Sequence, residues 1–176
     1  TGRTGGGVLR RDGASACRAA RAAGRATVES AGSPPPPESE CVQGGVGWYG
    51  IYDFALMAAT APPLAAGAPP RAENPYLGCT GPCTPAQIAA ASATTYVDPK
   101  DPPILLIHGD DDHTANVAQS RSFYAALTKA GVKTQLIILP GIEHSWLGKT
   151  PEATRAASVE ALQKTFDFID ATIGDR

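Results

Sequence analysis

One stretch, Pro103-Ile104-Leu105-Leu106-Ile107-His108-Gly109-Asp110-Asp111-Asp112, restricts the fold of this chain more than any other. An unbroken run of large aliphatics bounded by turn residues predicts a strand buried on both faces, as in a parallel sheet covered by helices. Gly109 and the acids Asp110, Asp111 and Asp112 then fall at the strand's carboxyl end. Open α/β sheets carry their ligands and catalytic groups on that edge.

The residues that follow extend the pattern. Asn116 is expected to cap a helix whose Val117, Tyr124 and Leu127 share a face, with Gly131 as its stop. Gln135 to Leu139 predicts a second strand, so strand, helix and strand form a βαβ unit with parallel neighbours. His144 lies in the next loop, Pro140 to Lys149, on the same edge as the acids. Parallel strands stand about 4.8 Å apart, which lets the two loops bring a carboxylate to the imidazole. An Asp that accepts the Nδ1 proton of a His fixes its tautomer and leaves Nε2 to take a proton from a nucleophile. A last helix opens at Thr150-Pro151-Glu152 and ends at Gly174, with Val159, Leu162, Phe166, Ile169 and Ile173 expected as one stripe against the sheet.

Upstream, Val42 to Gly50 reads as a glycine-thinned strand with something packed close above it, and Ile51 to Phe54 as the turn after it. Residues 60–84, rich in proline, are expected to form a long loop or lid. Thr84-Pro85-Ala86-Gln87 then opens a short helix that ends near Thr95. At 176 residues and 43% hydrophobic, the chain is long enough for one domain with a sizeable core. Residues 1–41 are different, because Val8, Leu9 and Val28 are their only large aliphatics and Ser33 to Glu38 is a polyproline-type connector. Poor order is expected there, and the folded domain is expected over 42–176.

A net charge of -2 offers no basic excess for nucleic acid and no polybasic run for anionic lipid. No apolar run approaches the roughly 18 residues of a membrane span. Of the 4 cysteines, Cys79 and Cys83 flank Gly81-Pro82 and are expected to form a local disulfide. That bond would point to an oxidising compartment, secreted or periplasmic, with two free thiols or a zinc site as alternatives. His108, Asp110, Asp112 and His113 could form a hard-metal cluster. Successive side chains at a strand end point to different sides, so no metal is expected, with His108 structural and His113 an exposed loop residue.

These motifs carry a resemblance. His108-Gly109-Asp110-Asp111-Asp112 and Leu139-Pro140-Gly141-Ile142-Glu143-His144 resemble the C-terminal half of α/β-hydrolases, in the branch that includes feruloyl and acetyl-xylan esterases and prolyl-oligopeptidase-like enzymes. Val42 to Phe54 resembles the strand and turn after the nucleophile helix of these esterases, so the likeness runs from about Val42 to the C-terminus. It implies a partial α/β-hydrolase fold, the C-terminal half of a mostly parallel sheet flanked by helices. It further implies a serine hydrolase of small-molecule carboxylic esters that works through an acyl-enzyme and needs no cofactor. By position Asp112 is the triad acid and His144 the base, with Trp146 and Tyr49 at the substrate pocket.

The nucleophile is harder to place. Gly13-Ala14-Ser15-Ala16-Cys17 is the nearest match to a Gly-x-Ser-x-Gly elbow, with Ser15 attacking and the Ala16 N–H in the oxyanion hole, but Cys17 stands where a glycine is wanted. Ser30 is a weaker second candidate. The alternative expectation is a truncated or frame-disrupted hydrolase without activity of its own, whose exposed sheet edge invites self-association.

Overall fold

A computed structural model describes residues 6–10, 42–61 and 76–173. Its strands are β1 (Gly6–Arg10), β2 (Val42–Trp48), β3 (Ile104–Gly109) and β4 (Thr134–Leu139), and its helices are α1 (Phe54–Thr60), α2 (Pro85–Ala91), α3 (Ala118–Lys129) and α4 (Pro151–Ile173). The sheet order is β1-β2-β3-β4, in which β2, β3 and β4 run parallel and β1 runs antiparallel to β2. This is the expected partial α/β fold with a parallel sheet flanked by helices. β1 was not foreseen, and the rest of 1–41, including the connector at Ser33 to Glu38, lies outside the described residues.

Every residue of β3 is buried because the strand is covered on both sides. Leu105 and Ile107 pack with Val46, Leu139, Trp146, Ala161 and Phe168, while Ile104 and Leu106 pack with Phe123, Leu127 and Val132. Fully burying one such side chain contributes about 1.5–3 kcal/mol, so this single strand anchors both halves of the core.

The glycines of β2 let α4 lie close upon it. A Cβ at Gly44 would stand 3.2 Å from both Phe168 and Thr172, and Trp48 Nε1 donates to Thr165 Oγ1 at 3.0 Å. The thin strand makes room for Phe168, and α4 buries Ala157, Ala161 and Phe168. The expected stripe is therefore corrected: Val159, Leu162 and Phe166 are 59%, 45% and 56% exposed. The helical period holds and its phase differs. The C-terminal stop at Gly174 lies outside the described residues.

α3 is corrected in the same sense. Its buried face is Gln119, Ser120, Phe123 and Leu127, with Tyr124 only partly buried beside it. Asn116 does cap, since its Oδ1 accepts from Ala118 N at 2.9 Å, and Gly131 ends the helix region with φ +83. Gln119 is the residue that joins this layer to the N-terminal part. Its Oε1 accepts from Tyr52 N and Asp53 N, each at 2.9 Å, and its Nε2 donates to Asp53 O at 2.8 Å. Asp53 in turn caps α1, a helix where only a turn was expected. Replacing Gln119 with Ala strands two backbone N–H groups, those of Tyr52 and Asp53, while Asp53 O keeps Met57 N, and the expected loss is on the order of 3 kcal/mol in urea unfolding. A loss under about 1 kcal/mol would mean that water replaces the amide.

α2 opens as anticipated, with Thr84 and Gln87 forming a reciprocal capping box, but it stops at Ala91 and a separate 3-10 turn covers Ala93–Tyr96. Cys79 and Cys83 are disulfide-bonded, with Cα atoms 5.4 Å apart. Of the expected lid, residues 62–75 lie outside the described residues. Among the described residues no helix is long and apolar enough to cross a membrane.

Candidate active site

The chain leaves β3 through Gly109 into the acid loop, and Asp112 turns back beneath it with a fully buried side chain. Its Oδ1 accepts from Thr114 N at 2.8 Å and Ala115 N at 2.7 Å. Its Oδ2 faces His144 Nδ1 at 2.8 Å and His108 Nε2 at 3.2 Å. Burial by itself would push the carboxyl up. The donors His108, Ala115 and His144 outweigh it and hold Asp112 below its ordinary value.

The partners of the two histidines assign their protons. His108 Nε2 lies 2.7 Å from Ala115 O, an acceptor only, so Nε2 carries the hydrogen. Its Nδ1 then accepts from Ser120 Oγ at 2.7 Å, and the ring is fully buried. His144 Nδ1 donates to the Asp112 carboxylate. Its side chain is 29% exposed, which leaves Nε2 available to accept a proton.

Aromatic rings frame His144. Tyr49 lies 4.5 Å from it, centroid to centroid, and Trp146 lies 4.6 Å from Tyr49. Tyr49, Ser145 and Trp146 all have positive φ, at 40, 60 and 64, in a region that disfavours side chains. Such strain costs of order 1–3 kcal/mol per residue and gathers at functional sites. Trp146 is 5% exposed and belongs to the core. Tyr49 is partly buried at the rim.

Asp110 and Asp111, expected only as acids at the strand end, hold the loops together. Asp110 Oδ1 accepts from Gly141 N at 2.6 Å, and Asp111 N donates to Ile142 O at 3.2 Å. Gly109 lies under the β4 loop so closely that a Cβ there would sit 2.0 Å from Ile142 O. The signal available was the glycine itself, between a buried strand and its functional loop. Among the described residues no group of three or more His, Cys, Asp or Glu is placed to hold a metal.

Ser15, Ala16, Cys17 and Ser30 lie outside the described residues. β1 nevertheless bears on them through its direction. Arg10, its last residue, pairs with Val42 at the start of β2, the edge opposite the Asp112–His144 pair. A nucleophile elbow needs its strand to end on the same edge as the acid and base. Gly6–Arg10 is not such a strand.

A three-stranded parallel run with helices on both faces and an Asp–His pair on its carboxyl edge defines an α/β-hydrolase domain. The chain belongs to the BD-FAE family, whose model matches residues 24–127, a span that starts upstream of Val42. It is 31% identical over 137 residues to esterase LipQ of Mycobacterium tuberculosis (strain ATCC 25618 / H37Rv), covering 77% of this chain and 30% of LipQ. Among solved structures it is similar to a truncated form of a carbohydrate esterase from gut microbiota, with TM-score 0.57, 25% identity, and coverage of 82% of this chain and 48% of that one. It also matches an acetyl ester-xyloside bifunctional hydrolase from Caldicellulosiruptor lactoaceticus, with TM-score 0.56, 23% identity, and coverage of 80% and 47%. The chain thus spans 30% of the curated relative's length and about half of these solved structures.

Proposed function

We propose that Asp112 and His144 are the acid and base of a serine hydrolase acting on small-molecule carboxylic esters. In this reading a serine Oγ attacks the ester carbonyl and His144 Nε2 takes its proton. The alcohol leaves with that proton and an acyl-enzyme remains, which water resolves by the same route in reverse. Asp112 orients His144 and stabilises the imidazolium, Tyr49 and Trp146 border the substrate, and no cofactor takes part. Ser15 is this chain's candidate nucleophile, with the Ala16 N–H as half of the oxyanion hole. The observation that supports the reading most is the 2.8 Å contact between Asp112 Oδ2 and His144 Nδ1, with Nε2 left free.

The antiparallel entry of β1 favours a second reading, in which the acid and base are retained but the chain has no nucleophile of its own. Labelling the purified chain with a fluorophosphonate probe and assaying p-nitrophenyl acetate separates the two. Labelling that disappears in Ser15→Ala establishes the first reading. Neither labelling nor hydrolysis establishes the second, and sedimentation over a range of concentrations then tests for association through the sheet edges. An oxidising compartment remains part of the proposal through Cys79–Cys83.

A further inference from the structure

We propose that Glu143 and His113 form a charge-assisted clasp that positions His144, so that the protonation of His113 sets the pH range in which the Asp112–His144 pair keeps its geometry. The clasp rests on the acid–base reading of that pair. The chain has 3 histidines, and all of them meet at these two loops. His113 follows Asp112 and Glu143 precedes His144, so the two pairs run side by side with their chemistry exchanged. In the inner pair the β3 loop supplies the carboxylate and the β4 loop the imidazole. In the outer pair the loops swap roles.

One carboxylate ties both loops. Glu143 Oε1 accepts from His113 N at 2.7 Å and from His144 N at 2.9 Å, while Oε2 pairs with His113 Nδ1. The bond to His144 N also caps the short 3-10 turn His144–Trp146, which contains the strained residues Ser145 and Trp146. The inner carboxylate is sealed from solvent, but the outer side chains are 76% and 33% exposed, so the outer pair is the one that titrates freely.

The charged groups facing His113 are Glu143 from the β4 loop and Asp111 from its own, with Asp111 Oδ1 at 4.0 Å. Hydrogen bonding to Glu143, and then the charges of Glu143 and Asp111, raise the imidazole above its ordinary value. Donation from His144 N, His113 N and the His113 ring holds Glu143 below its own. The signs follow directly. A raised imidazole keeps the clasp fully formed below the ordinary His range and releases it as pH rises through the raised value; a lowered carboxyl releases it only in acid. The clasp is therefore complete only where His113 is protonated and Glu143 is ionised. When His113 loses its proton, Glu143 is left charged and uncompensated beside His144.

Histidine-ring NMR of the full chain tests this without requiring activity. His113 is expected to titrate above the ordinary range, and the His144 Nδ1–H resonance to persist up to that pH and then broaden. Glu143→Gln keeps an acceptor for both backbone N–H groups and removes the charge. In that variant His113 moves back toward the ordinary range, Asp111 alone still raising it, and the His144 resonance broadens earlier. The exposed substitution His113→Asn abolishes the pH dependence of the His144 resonance, and it carries the comparison if Glu143→Gln does not fold. Identical His113 titration in the two proteins, or a His144 resonance indifferent to either variant, overturns the clasp. A chain that shows the coupling but takes no fluorophosphonate keeps the clasp and loses the hydrolase reading.

Discussion

Asp112→Asn is expected to lower ester hydrolysis by on the order of 10⁴-fold while the protein remains folded at neutral pH. The direction follows from the four donors around the carboxylate. Thr114 N and Ala115 N both point at Oδ1, so the Asn carbonyl takes that place. Its amide NH₂ is then forced toward His144 Nδ1 and His108 Nε2. A donor facing His144 Nδ1 selects the tautomer with the proton on Nε2, which cannot accept one from a nucleophile. The same NH₂ meets the His108 N–H donor to donor, which destabilises the loop without unfolding the sheet. Steady-state kinetics measure the loss, and a fall of less than tenfold would reduce Asp112 to a structural role. In a chain without a nucleophile the substitution still reads out as a switch of the His144 tautomer in ring ¹⁵N shifts. A pH signature accompanies it. Because the carboxyl is held below its ordinary value, the wild-type protein has stability that is present above that value and lost as pH falls through the depressed one. The Asn variant lacks this component.

How much of this was legible in the residues depends on how local each signal is. The β3 run, the βαβ unit that follows and the placing of Asp112 and His144 on one edge all rest on contiguous patterns, and the structure brings the two residues together. The phase of α4 was not legible. Val159-Leu162-Phe166 and Ala157-Ala161-Phe168 share a helical period, and only packing against the sheet selects the second set. His113 was expected to be exposed and is. What was missed is its partner, because Glu143 comes from another strand's loop and sequence spacing does not encode that contact. β1 escaped notice because a strand of weak propensity, with two glycines, Gly6 and Gly7, and Arg10 at its end, is formed by pairing with β2 rather than by its own pattern. Nor does sequence alone reveal its antiparallel direction, the observation that bears most on the nucleophile.

Gly109→Ala is the second large effect. The added methyl would lie 2.0 Å from Ile142 O and 2.7 Å from Ile142 C, which are backbone atoms and cannot rotate away. The β4 loop has to lift, breaking the bond from Asp111 N to Ile142 O and carrying Glu143 and His144 with it. Overpacking of this kind costs roughly 1–3 kcal/mol, and a displacement of about 1 Å at a reacting group lowers rate about 10²-fold. Urea unfolding and kcat/KM should therefore both fall. Gly131→Ala is the control, because a Cβ there meets nothing within 4 Å and the only penalty comes from φ +83. That residue ends α3 away from the loops, so the variant should lose about 1 kcal/mol and keep its rate. Equal losses of rate in both variants would mean that the rate follows stability alone. A loss confined to Gly109→Ala would mean that His144 is held in place by the close seat of its loop on the end of β3.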